Sequence, residues 1–289
     1  MDYRKLSIID LKVVIFEQEF SKFPYLNDFL GNPYTYLKAR YYMYSSVLLV
    51  YVLLRTSITP NMVTLAYIAS GLVGGVLLSI PNFFCNVAAV VIFFNRGILD
   101  WSDGHLARLK YEPTLTGHIL DVYGASVNSI GLVVGLGFFA MHQTGYTFLI
   151  YAIAIAPFLH GAKYTSFGLG VILMNLNELV NNKQTDFIDS IECEIEKEVP
   201  SLAQAYKYPR IVVYFSNIFD DNARSVDFIL MTVLLDYYFN YKLTFFIFLI
   251  IVLKMLIKFI LSIVIGVRSK WAESIIDNIA INNARKKNE

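Results

Sequence analysis

This chain of 289 residues contains few charged residues and few cysteines, and its net charge is close to zero. Only 16% of the residues are charged while 56% are hydrophobic, and the mean hydropathy is +0.52, which excludes an ordinary soluble domain. The formal net charge of +1 gives no general attraction to nucleic acid, and no nucleic-acid partner is expected. The two cysteines, Cys85 and Cys193, lie far apart in unlike surroundings, which excludes a disulfide framework and a cysteine metal site.

The N-terminus lacks the pattern of a cleavable signal peptide. Four acidic residues fall among apolar ones within the first 19 positions, where a signal peptide has a basic start and an unbroken apolar run. We therefore expect membrane insertion to begin with the first spanning helix.

Long apolar runs dominate the rest of the chain. We predict an all-α integral membrane protein with six transmembrane helices, because six stretches are apolar enough to cross a bilayer, although the fifth is short. They fall at about 60–80, 86–110, 115–141, 146–173, 225–240 and 243–267. Pro60 suits the first turn of a helix. Close contact between helices is allowed by three glycines of the first stretch, Gly71, Gly74 and Gly75.

Residues 34–57 combine an apolar run with tyrosines and basic residues. Such a mixture is typical of an amphipathic helix that lies in the headgroup layer, and we predict an N-terminal interfacial helix here. The alternative is an additional spanning helix, although the uncharged run from Tyr41 to Leu54 has only 14 residues and needs tilt or help to cross.

Lysine and arginine lie mostly on one side of the predicted helices. The loops after the first, third and fifth helices hold one lysine between them, so by the positive-inside rule both termini are expected to be cytosolic. The predicted organisation is a cytosolic segment with the interfacial helix (1–58), a six-helix membrane domain (59–270) and a cytosolic tail (271–289). The membrane domain contains a polar, mainly acidic cytosolic insertion at 174–224.

Three carboxylates stand close together in an otherwise apolar region. Asp100 and Asp103 are three residues apart and share one face of a helix, and Asp121 follows on the next helix. Neighbouring carboxylates repel one another unless a cation bridges them, and oxygen ligands suit Mg²⁺ or Mn²⁺. Carboxylates inside a membrane are costly, so this group indicates a functional site.

The stretch from Asp100 to Ala125 resembles the signature of the CDP-alcohol phosphotransferase family, D-x2-D-G-x2-A-R-x8-G-x3-D-x3-D. The positions that match at the family's spacings are Asp100, Asp103, Gly104, Ala107, Arg108, Gly117 and Asp121. The preceding segment TPNMVT, from Thr59 to Thr64, is similar to the family's entry into its first membrane helix. With the helix count, the resemblance covers roughly residues 33 to 270.

This resemblance implies transfer of a phosphoalcohol group from a CDP-linked donor to an acceptor hydroxyl, with release of CMP. It implies Asp100, Asp103 and Asp121 as ligands of Mg²⁺ or Mn²⁺, with two ions in an intact four-aspartate site. Arg108 is expected to pair with the diphosphate, and Gly104 to let the nucleotide approach the backbone. The full set of expected nucleotide contacts is Asp100, Asp103, Gly104, Ala107, Arg108, Gly117, Asn61 and Thr64. The alternative is that the acids and Arg108 are a buried ion network that holds the helices together.

The last position of the signature departs from the family, because Ala125 stands where the family has its fourth aspartate. That aspartate is expected to bind metal and to take the acceptor's proton, and a methyl group can do neither. Ala125 is an engineered inactivating change, a natural variant with another base, or the mark of a non-catalytic relative. His118 is the candidate substitute base, because it lies seven residues before Ala125 on the same helix face. A polar residue near the membrane interface is the alternative role for His118.

Three lysines within the predicted membrane helices are candidates for binding an anionic acceptor or a lipid phosphate. They are Lys163 in the fourth helix and Lys254 and Lys258 in the sixth. The alternative is that these side chains extend to the membrane surface or pair with acidic residues.

The expected function is a phospholipid headgroup synthase with CDP-diacylglycerol as its donor. The expected location is a bacterial or archaeal cell membrane, and a homodimer is the suggested assembly. A synthase for a soluble CDP-alcohol is the alternative within the class. A transporter and a catalytically dead membrane scaffold are the alternatives outside it. The sequence shows no internal repeat of the kind expected for a transporter.

Overall fold

Every secondary-structure element in the described part of the chain is an α-helix. The computed structural model describes residues 6–23, 26, 29, 33–110, 114–161 and 223–268. Its helices are α1 (Ile8–Lys22), α2 (Pro33–Leu53), α3 (Pro60–Ser79), α4 (Phe83–Lys110), α5 (Leu115–Thr144), α6 (Leu149–Gly161), α7 (Ala223–Phe239) and α8 (Leu243–Arg268). The all-α prediction is thereby confirmed for these residues.

Within the described ranges, four helices are long and apolar enough to cross a membrane. Their candidate spans are Pro60–Ser79, Phe83–Lys110, Thr116–Thr144 and Leu243–Val264, which coincide with the first, second, third and sixth predicted spans. The described parts of the other two predicted spans are shorter: α6 has 13 residues and α7 has 17. A helix needs about 20 apolar residues to cross a bilayer. The count of six therefore stays a prediction, since the fourth predicted span also runs into residues 162–222, outside the described part.

The chain divides into two compact units. The first contains residues 1–154 and 219–249, and the second contains residues 155–218 and 250–289. All the residues of the signature belong to the first unit. In the second unit, the described residues include an aromatic contact between Phe158 and Phe259, with ring centroids 6.1 Å apart.

Local capping fixes where the helices begin. The Thr59 side chain accepts a hydrogen bond from the backbone N–H of Met62, and Pro60 occupies the first turn of α3 as predicted. The Thr114 hydroxyl caps α5 in the same way by accepting from Gly117 N–H at 3.1 Å. Asp236, for which the sequence suggests no role, is fully buried and caps α8: its carboxylate accepts from the backbone N–H groups of Leu243 and Thr244 at 2.9 and 2.6 Å.

Glycines bring α3 and α5 into backbone contact. A Cβ atom built on Gly75 would lie 2.7 Å from the carbonyl oxygen of Gly131, and one built on Gly71 would lie 2.7 Å from Cα of Asn128. The predicted close helix contact at these α3 glycines is therefore confirmed, whereas Gly74 faces the ring of Phe93 on α4. This packing sets the distance between α3, which carries Thr64, and α5, which carries Asp121.

The helix α2 is present where an interfacial helix was predicted. Its buried face carries Lys38, Met43 and Val50, but its exposed side chains are also apolar, with Leu37 61% and Leu48 59% exposed. The amphipathic and interfacial character of α2 therefore stays a prediction. The buried face joins an apolar core with Leu11 and Ile15 of α1 and Leu106 and Leu109 of α4; this core holds α1 against the C-terminal part of α4.

Candidate active site

The three predicted carboxylates come together where α3, α4 and α5 meet. The side chains of Asp100 on α4 and Asp121 on α5 lie within hydrogen-bonding reach of each other. Asp103 stands close enough to both to interact electrostatically. The three acids thus form one cluster, although they come from two helices joined through residues 111–113, outside the described part of the chain.

Asp103 is anchored to the neighbouring helix α3. The hydroxyl of Thr64 donates a 2.6 Å hydrogen bond to the Asp103 carboxylate, and both residues are buried. Thr64 thus lies in the cluster, and its predicted contact with the nucleotide stays a prediction.

Two basic side chains border the carboxylates. Arg96, one helical turn before Asp100 on α4, interacts electrostatically with it. His118, one turn before Asp121 on α5, interacts with that carboxylate. The permanent positive charge of Arg96 offsets part of the repulsion among the acids. His118 is exposed, and Ala125 is exposed as well.

The donor chemistry of the cluster fits a hard divalent cation, because it consists of carboxylate and hydroxyl oxygens. Asp100 and Asp121 are already adjacent, and two such acids need either a shared proton or a cation between them. Among the described residues, however, no three His, Cys, Asp or Glu side chains stand close enough together to hold a metal ion. Asp103, whose carboxylate is bonded to Thr64, would have to turn to become a third ligand.

Gly104 and Arg108 lie one turn apart on the exposed side of α4. A Cβ atom built on Gly104 would lie 3.5 Å from Nη1 of Arg108, so the guanidinium group covers this glycine. Nη2 of Arg108 donates a 2.6 Å hydrogen bond to Glu19 of α1. The guanidinium also interacts with Asp103. Arg108 thus borders the carboxylate cluster, with α1 on its other side.

Gly117 and Asn61 are neighbours at the start of α5. A Cβ atom on Gly117 would lie 3.4 Å from the side-chain oxygen of Asn61 and 3.2 Å from the hydroxyl of Thr114. A methyl group at this position would crowd the Thr114 hydroxyl that caps α5 and would only touch Asn61. Ala107, the remaining signature position, is partly exposed on α4.

The sequence also predicted three lysines, Lys163, Lys254 and Lys258, as an acceptor site. Lys163 lies outside the described residues. Lys254 and Lys258 are partly buried on α8, in the second unit. Their predicted role in binding an acceptor or lipid phosphate stays a prediction.

Tyr67 is a site residue that the sequence analysis missed. It is 4% exposed on α3, packs its ring on Gly124, and interacts electrostatically with all three carboxylates of the cluster. Its hydroxyl has no hydrogen-bond partner among the described residues. The helical spacing could have indicated it, because Tyr67 follows Thr64 by three positions and therefore shares its helix face.

A second buried polar contact joins α2 to α7. Lys38 forms a 2.7 Å ion pair with Asp227, and its ammonium group also contacts the carbonyl oxygen of Phe94 on α4 at 3.2 Å. The hydroxyl of Tyr34 donates to the same Asp227 carboxylate. All of these groups are partnered, so the contact accounts for how α2, α4 and α7 are held together.

The fold and this site define a helical membrane protein with a cluster of acids, arginine and a threonine hydroxyl shared by three neighbouring helices. Residues 57–179 match the model of the CDP-alcohol phosphatidyltransferase family, which confirms the family resemblance. The match begins just before α3 and includes every signature position. Comparison with curated proteins gave no match. Members of this family transfer phosphoalcohol groups and therefore belong to the transferases of substituted phosphate groups.

Proposed function

We propose that this chain is a CDP-alcohol phosphotransferase of phospholipid biosynthesis, which moves a phosphatidyl group from CDP-diacylglycerol to an acceptor hydroxyl. A bond forms between the acceptor oxygen and the β-phosphorus, the bond from that phosphorus to the bridging oxygen breaks, and CMP leaves. The observation that carries this proposal is the convergence of Asp100, Asp103 and Asp121 beside Arg108.

Each protein group has a distinct part in this scheme. Asp100 and Asp121 would hold Mg²⁺ or Mn²⁺, and Asp103 would join them if its bond to Thr64 opened. A bound divalent cation neutralises the charge that builds on the diphosphate oxygens. Arg108 adds a permanent positive charge with several N–H donors, which suits the same oxygens. Gly104 lacks a side chain, so the nucleotide can approach the backbone of α4 next to Arg108. Asn61, beside Gly117, is a further candidate for a contact with the nucleotide.

The acceptor's proton needs a base other than residue 125. Ala125 has no group that accepts a proton. His118 is our candidate, because its ring neighbours Asp121 at the edge of the cluster. Its exposed position gives it access to solvent, to which the proton must finally pass.

We further propose a multi-pass protein with both termini in the cytosol of a bacterial or archaeal cell. The basic residues of the loops support this orientation. The cluster would then lie near the cytosolic end of α4, where a cytidine nucleotide can enter and CMP can leave. A homodimer and an acceptor site at Lys163, Lys254 and Lys258 are further parts of the proposal.

Ala125 specifically favours a second candidate, a non-catalytic membrane scaffold with the same fold. A scaffold would retain the helix packing but would bind neither a divalent cation nor CDP. A soluble CDP-alcohol as donor is the alternative within the enzyme class.

The test is CMP release by the purified chain with a panel of CDP-alcohols and acceptors, with and without Mg²⁺ or Mn²⁺. CMP release by the unchanged chain supports a natural enzyme, and loss of that release in His118→Ala supports His118 as the base. If only the Ala125→Asp variant releases CMP, the unchanged chain has an enzyme site that lacks its fourth carboxylate. No release from either protein, and no binding of CDP, would contradict the proposed function and favour the scaffold.

A further inference from the structure

Glu19 reaches the signature arginine from a part of the chain that lies outside the family match. The match covers residues 57–179, whereas Glu19 belongs to α1. Glu19 is only 6% exposed, and its carboxylate accepts the 2.6 Å hydrogen bond from Nη2 of Arg108. The apolar core around Leu11 and Ile15 fixes α1, so the carboxylate is presented from a rigid element.

His105 holds the same nitrogen atom of Arg108. Nδ1 of His105 lies 2.7 Å from Nη2, and the imidazole is 1% exposed. Arginine nitrogens only donate, so Nδ1 must be the acceptor and the ring's hydrogen must be on Nε2. Two buried acceptors, one from α1 and one from α4, therefore fix Nη2.

The other terminal nitrogen of Arg108, Nη1, lies toward Gly104. Nη1 lies nearer than Nη2 to a Cβ position on Gly104, at 3.5 Å against 4.0 Å. It has no hydrogen-bond partner among the described residues. The Arg108 side chain is 34% exposed, so an anion arriving at Gly104 can reach Nη1. The planar guanidinium has enough donors to keep Glu19 on one edge and bind an anion on another.

We propose that Glu19 is a positioning residue, which holds the Arg108 guanidinium so that Nη1 faces the diphosphate of a cytidine nucleotide over Gly104. This role rests on the proposed function. A surface arginine otherwise spreads over many rotamers, and ordering it on binding costs affinity. Because Glu19 and His105 order the side chain beforehand, this cost is removed. The N-terminal helix α1 then contributes to nucleotide binding without touching the nucleotide.

The test compares the binding of CDP and CMP, measured by calorimetry on the purified full chain with Mg²⁺. CMP lacks the second phosphate, so it reports the state of the nucleotide site without the contact in question. We expect Glu19→Gln to weaken CDP binding about tenfold, the equivalent of one charge-assisted hydrogen bond. Binding of CMP should be unchanged, and Glu19→Asp should restore part of the CDP affinity. The matched control is Glu17→Gln on the exposed side of α1, which should change neither affinity.

A double-mutant cycle separates positioning from a purely structural role. If Glu19 acts through Arg108, Glu19→Gln should add nothing to the loss of CDP affinity caused by Arg108→Gln. Two results would overturn the proposed role of Glu19 and leave the proposed function standing. In the first, Glu19→Gln weakens CDP and CMP binding equally. In the second, Glu19→Gln leaves CDP binding unchanged or makes it tighter. Failure of the unchanged chain to bind CDP would overturn the proposed function and this role together.

Discussion

The hydroxyl of Thr64 on α3 donates a 2.6 Å hydrogen bond to the carboxylate of Asp103 on α4. This contact joins α3, the first helix within the family match, to α4, which carries Asp100 and Asp103. It also fixes the orientation of Asp103, which interacts with Asp121 across the cluster. Helix packing and the geometry of the carboxylates therefore depend on the same bond.

Replacing Thr64 by valine should disturb both the fold and the site. The valine has the same shape but cannot donate, so the buried Asp103 carboxylate loses a partner, at a cost of about 1–3 kcal/mol in the free energy of unfolding. Thermal unfolding in detergent measures this cost, and the Mg²⁺ concentration needed for half-maximal CDP binding should shift at the same time. Thr64→Ser keeps the hydroxyl and is the control. Equal behaviour of the two variants would show that the hydrogen bond matters for neither property.

Tyr67→Phe should separate activity from stability. The Tyr67 hydroxyl is close to the three carboxylates but has no hydrogen-bond partner among the described residues, so its removal should not lower the thermal midpoint. If the hydroxyl contacts substrate, CMP release should fall by about tenfold, the equivalent of one hydrogen bond of roughly 1.4 kcal/mol. Tyr151→Phe, at a position that is 78% exposed on α6, is the matched control. A variant that releases CMP at the unchanged rate would remove Tyr67 from the site.

Gly75→Ala should destabilise the contact between α3 and α5. The added methyl group would lie 2.7 Å from a backbone carbonyl oxygen of Gly131, which cannot turn away as a side chain would. We expect a loss of about 1–3 kcal/mol in the free energy of unfolding, in the range for overpacking. At Gly161, nothing described lies within 4 Å of the Cβ position. Gly161→Ala in α6 should therefore leave the thermal midpoint unchanged or raise it, because alanine favours helix over glycine. A fall of the same size in both variants would contradict the role of the glycine contact.

The sequence predicted most of the cluster because its residues are close in the chain or fall at known spacings. Asp100 and Asp103 share a helix face by periodicity alone, and the family resemblance adds Asp121 and Thr64. The start of α3 at Pro60 followed from its fixed backbone angle and its missing N–H. These features depend on local chemistry, which a single sequence contains.

Contacts between distant parts of the chain could not be predicted in this way. Glu19 and Arg108 are 89 residues apart, and Lys38 and Asp227 are paired by the packing of α2 against α7. Neither pair lies at a spacing that periodicity can detect. The cap formed by Asp236 was missed for another reason. A capping aspartate normally stands directly before the helix that it caps, whereas Asp236 lies inside α7, seven residues before Leu243. The left-handed backbone at Asn240 and Lys242 turns the chain and brings the cap into reach.

The most direct test of the account is the Mg²⁺ dependence of CDP binding to the unchanged chain and to Asp121→Asn, an isosteric change on α5. Glu17→Gln is the control, and thermal unfolding confirms that each protein is folded. If carboxylates from α4 and α5 hold the cation for the nucleotide, CDP binding should require Mg²⁺. Asp121→Asn should then raise the Mg²⁺ concentration needed by at least about tenfold, since ligand and outer-shell changes at metal sites typically cost 10–100-fold. CDP binding that is independent of Mg²⁺ and is the same in Asp121→Asn would contradict the central claim.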